Sequence, residues 1–490
     1  MEGNSLQAAV YIDPHRSAQP YNRMIFGQFL EHFHRQVYGG IFEPGSPLSD
    51  SRGFRTDVIA ALRELRVPVV RWPGGCFVSA YHWKDGIGPE RRPSYDKAWR
   101  VEEPNTFGTD EFIVWCREIG AEPYICTNAG TGTPEEMSDW VEYCNLKSQG
   151  SWARQRQANG YHEPHNVRYW SIGNENYGTW EIGAKTSQEW GRFVTESAKM
   201  MRRVDPSIKL LAAALTDLDW TLNLLRSAGS FLDYISIHGY YDPLWQIDVP
   251  GDYQHAIIRA GQVEDTIRMT EHVIAVAGYE GKIGIAFDEW NLRGWHHPDG
   301  NSPEAVGARD RNDINATYTM TDAIFSAGFL NTCLRHAKTI QMANMAPIVN
   351  TRGPLFVHPG GIVKRPTFHV LSMYANLLAE EVADAHVVSD VYSLEGQSIP
   401  ALDALVTKGP TGWRLALVNR DPVKPLECKL VLAGQSLEGS FPATLLSGDS
   451  TDAYNDVSNP ERVIPQTTCL EARHGICTLP PHSLTILQVQ

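Results

Sequence analysis

Two apolar, strand-like runs in this chain end on a carboxylate: Ile172-Gly173-Asn174-Glu175-Asn176 and Phe287-Asp288-Glu289-Trp290-Asn291. An acid at the end of a buried strand sits where a sheet opens into a cleft. Two carboxylates facing each other across a cleft are what cleavage of a glycosidic bond needs. One protonates the departing oxygen, and the other attacks the anomeric carbon or activates water while a transition state of oxocarbenium character passes. A single strand-end Glu is as often a solvated loop residue or a helix cap. Two of them, one with Asn directly before it, favour the chemical reading.

Other clusters carry weaker signals. Glu31-His32-Phe33-His34 and His296-His297-Pro298-Asp299 have metal-ligand residue types, but neither has the HExxH spacing. Tyr161-His162-Glu163-Pro164-His165 reads as a surface loop, and Gly130-Thr131-Gly132-Thr133-Pro134 as a turn into a helix. No GxSxG elbow and no GxxxxGK[ST] loop occurs, which removes the usual signals of serine hydrolases and P-loop enzymes. Trp72, Trp83, Trp99, Trp170, Trp290 and Trp295 fall near expected strand ends. Each fits a core, while several at one mouth would offer flat faces to the rings of a neutral carbohydrate.

The elements that must position these residues recur from about residue 24 to 380. Eight β-type runs, starting at Met24, Val67, Ala121, Val167, Ile208, Phe231, Lys282 and Lys338, alternate with helical segments. Phe54 to Arg66 puts Val58, Leu62 and Leu65 on one stripe, and Gly120 closes the helix that begins at Thr109. Runs such as YWSI and IGIAF are apolar throughout, as strands buried on both faces are, which implies a parallel sheet. About eight such units predict a (β/α)8 TIM barrel with its active site at the C-terminal strand ends. A doubly wound open sheet is the alternative, but GQFLEHF has no glycine-rich phosphate turn. After Leu378, short alternating runs separated by Gly, Pro and Asp predict an antiparallel β-sandwich, which the opening AAVYID could join. The expected division is a barrel over residues 21–380 and a sandwich formed by 1–20 with 381–490.

Of the 490 residues, 43 are basic and 57 acidic, a net charge of −14. That lacks the electrostatic footprint for nucleic acid or an anionic membrane surface. No run approaches the roughly 20 apolar residues of a membrane span, and the start shows no basic and then apolar leader. Eight cysteines without a CxxC pair speak against a zinc or redox motif and fit a reduced, cytoplasmic protein.

The chain resembles the glycoside hydrolase family 51 α-L-arabinofuranosidases over nearly its whole length. FGQFLEHF, YGGIFEPGSPL, RWPGGCF, YHWKDGIGP, NTFGTDEFIVWCREIGAEPYI, IGNENYG and FDEWN carry the resemblance, in that order. It implies a TIM barrel with a C-terminal, jelly-roll-like antiparallel β-sandwich and a retaining mechanism. Glu175 would be the general acid/base and Glu289 the nucleophile. Glu31 and Asn174 would hold sugar hydroxyls, Tyr240 would steady the nucleophile, Arg71 and His238 would line the pocket, and Trp99 would be an aromatic wall. It further implies no metal or organic cofactor, a small carbohydrate substrate carrying arabinofuranosyl units, and an intracellular homo-oligomer, a hexamer.

Two positions depart from the family pattern. Cys76 stands where many members have Asn, and a thiol is the weaker partner for a sugar hydroxyl. Pro347 stands where many have Gln, so a side-chain contact is absent, rebuilt by Asn344 or Asn350, or made to a different sugar. These changes motivate β-xylosidase, galactofuranosidase or endo-β-glucanase specificity as alternatives. A metal-dependent sugar isomerase, from another class, needs several ligands converging at the strand ends. A non-catalytic sugar-binding protein would not need both acids. The retaining scheme expects carboxyls about 5–5.5 Å apart and a raised pKa at Glu175.

Overall fold

The computed structural model describes residues 5–242, 250–295 and 302–490. Eight strands close into a barrel: β1 (Gly27–Phe29), β2 (Val69–Trp72), β3 (Glu122–Thr127), β4 (Tyr169–Ile172), β5 (Lys209–Ala213), β6 (Tyr234–Asp242), β7 (Gly284–Arg293) and β8 (Ile340–Met345). They follow one another in chain order and every neighbouring pair is parallel. The apolar runs from Met24 and Lys338 extend well beyond their strands, because only part of each run lies in the ladder. Met24 itself falls in a 3-10 turn, Arg23–Phe26.

The helices between the strands form where the sequence supplies their ends. The helix Thr56–Leu65 buries Val58, Leu62 and Leu65, the stripe read from spacing. Thr109–Ile119 stops at Gly120, whose φ of 78° a residue with a Cβ adopts at a cost. Pro134–Asn145 starts from Thr133, whose side chain accepts from the Glu136 amide, with proline in the first turn. A capping box between Thr186 and Glu189 opens Ser187–Val204.

Side chains alternate across a strand, so residues two apart face the barrel interior together. Val69, Tyr124, Tyr169, Leu211, Ala286 and Met342 form one buried apolar cluster inside the barrel. Two residues further along the same strands come Arg71, Cys126, Ser171, Ala213, Asp288 and Asn344, all buried. The apolar plug fills the lower part of the barrel, and the layer above it is polar except for Ala213. Trp72, Trp83, Trp170 and Trp290 belong to the packed shell outside this interior, with at most 1 % exposure each.

The C-terminal region forms two sheets whose inner faces share a core that includes Val10, Leu415, Leu430 and Leu487. One sheet is antiparallel throughout. The other departs from expectation: the N-terminal strand Leu6–Ile12 runs antiparallel to Ala385–Ser389 but parallel to Leu426–Leu432. Some 400 residues separate these partners, so no local turn fixes their relative direction. Arg335 of the barrel helix Met320–Arg335 and Arg420 both bond Asp403, which ties sandwich to barrel. Among the described residues no helix is long and apolar enough to cross a membrane.

Candidate active site

A cavity of about 480 Å³ opens at the C-terminal end of the barrel, lined by Glu31, Cys76, Trp99, Glu175, Trp180, Tyr240, Glu289 and Trp295. Glu175 lies just past β4. Gly173 turns the chain with φ 70°, and Glu175 itself holds φ 45°, a left-handed conformation that costs a non-glycine residue about 1 kcal/mol or more. Its side chain is fixed at both oxygens. Oε1 meets His238 Nδ1 at 2.8 Å, and Oε2 accepts from Trp180 Nε1 at 2.8 Å.

Glu289 follows Asp288 on β7, and in a regular strand these neighbours would face opposite sides. The ladders slip here: the register shifts between Ser236 and His238 on β6 and between Phe287 and Trp290 on β7. Such irregularities re-aim side chains next to active sites, and both acids reach the interior. Tyr240 donates its hydroxyl to Glu289 Oε1, while Arg71 Nη1 donates to Oε2 at 2.8 Å. Arg71 Nη2 also donates to Asn174 Oδ1 at 2.7 Å, and Nε stands 3.3 Å from Asp288. One buried guanidinium thus holds the nucleophile candidate, the Asn before the other acid, and a third carboxylate.

One oxygen of Glu175, one of Glu289 and a ring nitrogen of His238 all lie within 4.8 Å of one another. That approach is nearer the about 5–5.5 Å separation of a retaining pair than the roughly 6.5–9.5 Å of an inverting one.

The charges correct one expectation. Burial pushes the Glu175 carboxyl up, but the His238 hydrogen bond and charge, and then Trp180, outweigh it and hold the group below its ordinary value. Burial likewise works against the His238 imidazolium, yet Glu289, Asp288 and Glu175 around the ring raise it to about 10. The proton expected on Glu175 therefore rests on His238 Nδ1, one hydrogen bond away. Asp288 stays ionised at about 2 against its burial, because Arg71 and His238 face it.

Gly74 and Gly75 let the chain approach these acids. A Cβ on Gly74, at φ 148°, would lie 2.3 Å from Cγ of Glu31, and one on Gly75 would lie 3.2 Å from Oε2 of Glu289. Glu31 Oε1 accepts from the amides of Gly75 and Phe77 and from Trp99 Nε1, at 3.0–3.1 Å. Burial and the Glu289 charge push its carboxyl up to about 8, so it is neutral at pH 7. Glu31→Gln keeps a neutral acceptor for those three donors and should change kcat/KM by less than about tenfold. Glu31→Ala strands the donors, which at about 2–3 kcal/mol should lower kcat/KM by roughly 30- to 150-fold. Steady-state kinetics with well-folded variants measures both.

Cys76 lines the cavity beside Glu175 and Glu181. Burial and then the charges of Glu181, Glu175 and Glu31 push its thiol well above its ordinary value, so it remains a protonated, weak hydrogen-bonding group. Pro347 is buried and is not among the residues lining the cavity. Both suggested replacements are already tied to main chain: Asn344 Nδ2 donates to the Gln28 carbonyl, and Asn350 Nδ2 to the Arg35 carbonyl.

Sequence reasoning passed over Trp180, Glu181, Asp288 and Arg352. Asp288 could have been found as the acid beside Glu289. Glu181, pushed up to about 7 by burial and Glu175, accepts from Asn174 Nδ2 at 3.2 Å, and its position six residues after an acid inside a turn gave no signal. Of the two His-containing clusters, His32 bonds Glu103 and Trp72 inside the core; His296-His297-Pro298-Asp299 lies outside the described residues. His165 departs from the surface-loop reading, turning inward to bond Asp110 at 2.7 Å.

A divalent cation fits this arrangement poorly. Both oxygens of Glu289 and both of Glu175 already face hydrogen-bond donors, and a metal would have to displace a guanidinium and an imidazolium.

Residues 61–257 match the family described as "Alpha-L-arabinofuranosidase 1 domain", and residues 288–483 match "Alpha-L-arabinofuranosidase C-terminal domain". The alpha-L-arabinofuranosidase C of Emericella nidulans is 35 % identical over 98 % of this chain and 97 % of its own length. The structure of the GH51 alpha-L-arabinofuranosidase from Thermotoga petrophila superposes with a TM-score of 0.89 at 35 % identity, covering 99 % of this chain and 100 % of that one. The chain belongs to the glycoside hydrolase family 51 α-L-arabinofuranosidases. An enzyme of Halalkalibacterium halodurans named intracellular exo-alpha-(1->5)-L-arabinofuranosidase is 37 % identical over 82 % of each chain. The Thermotoga maritima alpha-L-arabinofuranosidase, solved as an arabinose complex, superposes with a TM-score of 0.88 at 35 % identity over 98 % of this chain and 99 % of that one.

Proposed function

We propose that this protein is a retaining exo-acting α-L-arabinofuranosidase that removes terminal non-reducing arabinofuranosyl units from arabinan or arabinoxylan oligosaccharides. The carrying observation is the close approach of the Glu175 and Glu289 carboxylates, within 4.8 Å, at the wall of one cavity.

A Glu289 oxygen attacks the anomeric carbon as the glycosidic bond breaks, and the departing oxygen takes a proton from Glu175. That proton reaches Glu175 from His238 Nδ1. Arg71 and Tyr240 hold Glu289 in line before attack, and their charge-assisted bonds to it weaken as the ester forms. In the second half, Glu175 accepts a proton from water, whose oxygen attacks the anomeric carbon and releases Glu289, so the configuration is retained. Glu31, Asn174 and Cys76 supply polar contacts for ring hydroxyls, and Trp99 supplies an aromatic wall.

A panel of 4-nitrophenyl glycosides tests the glycone. The α-L-arabinofuranoside should exceed the β-D-xyloside and β-D-galactofuranoside in kcat/KM by about 100-fold or more, a margin that misplaced hydroxyls in a buried polar pocket can supply. NMR of the first-formed anomer should show retention; faster xyloside turnover or initial inversion overturns the proposal.

We also infer cytoplasmic operation and assembly as a homo-oligomer, a hexamer. Cys428 and Cys477 face each other on paired strands as free thiols, which suits a reducing compartment. The intracellular relative supports the same reading, and light scattering measures the assembly.

A further inference from the structure

Arg352 is 2 % exposed, and among the described residues its Nη1 and Nη2 have no hydrogen-bond partner. A buried guanidinium with open donors is expensive, and such groups in a folded protein call for a reason. The chain goes to some length to put it there. Asn350 and Thr351, just before it, both hold left-handed backbone at φ 54° and 39°. That turn is fixed from outside: Asn350 bonds the Val357 amide and the Arg35 carbonyl, and the Thr351 amide donates to Asp313. Arg352 is then pinned at both ends, its Nε donating to the Ala346 carbonyl at 3.0 Å and its own carbonyl accepting from Asn291 Nδ2 at 3.2 Å. Asn291 stands two residues past Glu289 on β7.

What the guanidinium does touch is aromatic. Cζ lies 3.2 Å from the ring centre of Trp295 and 4.6 Å from that of Tyr240, and both rings line the cavity. Trp295 in turn meets Phe33 edge-on at 4.5 Å. Burial lowers the Arg352 pKa to about 10, which leaves it charged at neutral pH. We propose that Arg352 is a positioning residue whose guanidinium is clamped against Trp295 and Tyr240, so that the Tyr240 phenol stays on Glu289 and the Trp295 face stays on the sugar. It acts through these two rings, whose faces attract the buried charge. This inference rests on the proposed glycosidase function.

A double-mutant cycle on 4-nitrophenyl α-L-arabinofuranoside tests it. A desolvated cation–π contact corresponds to about a 30-fold loss, so Arg352→Met should lower kcat by about that factor. Arg352→Lys, which keeps the charge but loses the flat face stacked on Trp295, should still lie about tenfold below the parent. In the Tyr240→Phe background, Arg352→Met should cost less than about threefold more, because the phenol it positions is gone. Losses that multiply independently, or an unchanged kcat with only a lower melting temperature, overturn the proposal. If Arg352→Met does not fold, Arg352→Lys carries the cycle. A crystal structure of the variant used gives a reading independent of turnover: a phenol displaced from Glu289 supports the clamp and an unmoved one overturns it. Failure of the parent enzyme on every glycoside would instead count against the function itself.

Discussion

Glu289→Ala is expected to lower kcat on 4-nitrophenyl α-L-arabinofuranoside by roughly 10⁴-fold or more, the scale on which removal of a covalent nucleophile acts. No neighbour can take its place. Asp288 is closest in sequence, but its oxygens are held by the hydroxyls of Tyr124 and Ser236, both at 2.6 Å, with Arg71 alongside. Glu31 sits across the pocket as a neutral acid bound by three donors. Added azide can occupy the space vacated by the carboxylate and attack from that face, so any product it yields has inverted configuration. Proton NMR of the azide product makes the assignment. A retained azide product, or residual turnover within about tenfold of the parent, would show that another group attacks the anomeric carbon. Arg71 and Tyr240 lose their partner in this variant, so melting temperature is read alongside. Glu289→Gln, which keeps an acceptor for Tyr240, should fold more stably and be equally inactive.

Strand alternation and the two strand-end acids were readable from residues alone, because a barrel interior imposes a period of two and its open end tolerates carboxylates. Val69 with Arg71 and Ala286 with Asp288 show the rule at work: the apolar member closes the floor and the polar one stands above it. The rule also explains a failure. Taken strictly, it sends Asp288 and Glu289 to opposite faces, and only the slipped register between β6, β7 and β8 brings both inside. A bulge of that kind depends on the neighbouring strands and has no signature in FDEWN itself.

Residues supplied from loops were harder to see. Trp180 and Glu181 reach the acids from a turn that doubles back after Glu175, where the Gly178 amide returns to the Glu175 carbonyl at 2.7 Å. Arg352 arrives from two consecutive left-handed residues that carry ordinary side chains, so no glycine announces the turn. The parallel pairing of Leu6–Ile12 with Leu426–Leu432 likewise depends on how the sandwich assembles; the alternation in AAVYID marks a strand without naming its neighbour. The resting position of the catalytic proton is also a tertiary property. Read alone, an acid buried beside another acid should hold its proton. His238, brought in from β6 with Asp288 behind it, takes that proton instead.

Because the proton rests on the Glu175–His238 pair, Glu175→Ala should separate the two halves of the reaction. A nitrophenolate leaves without protonic help, so the first step on 4-nitrophenyl α-L-arabinofuranoside should survive within about tenfold while the second slows by about 10²–10⁴-fold, the range of general acid–base assistance. The glycosyl enzyme then accumulates, and a stopped-flow trace should show a burst of nitrophenol. An arabino-oligosaccharide, whose departing alcohol needs the proton, should lose about 10³-fold or more in kcat/KM. Azide should accelerate the second step and yield a glycosyl azide of retained configuration, the opposite outcome to that in Glu289→Ala. The pH profile gives an independent sign. In the parent enzyme the pair must carry its proton for the acid step, so kcat/KM falls as pH rises through the loss of that proton. With Glu175 gone that alkaline limb should vanish for the activated substrate, since His238 Nδ1 has no carboxylate through which to deliver. If the limb persists unchanged and no burst appears, His238 or water donates directly and Glu175 is not the acid.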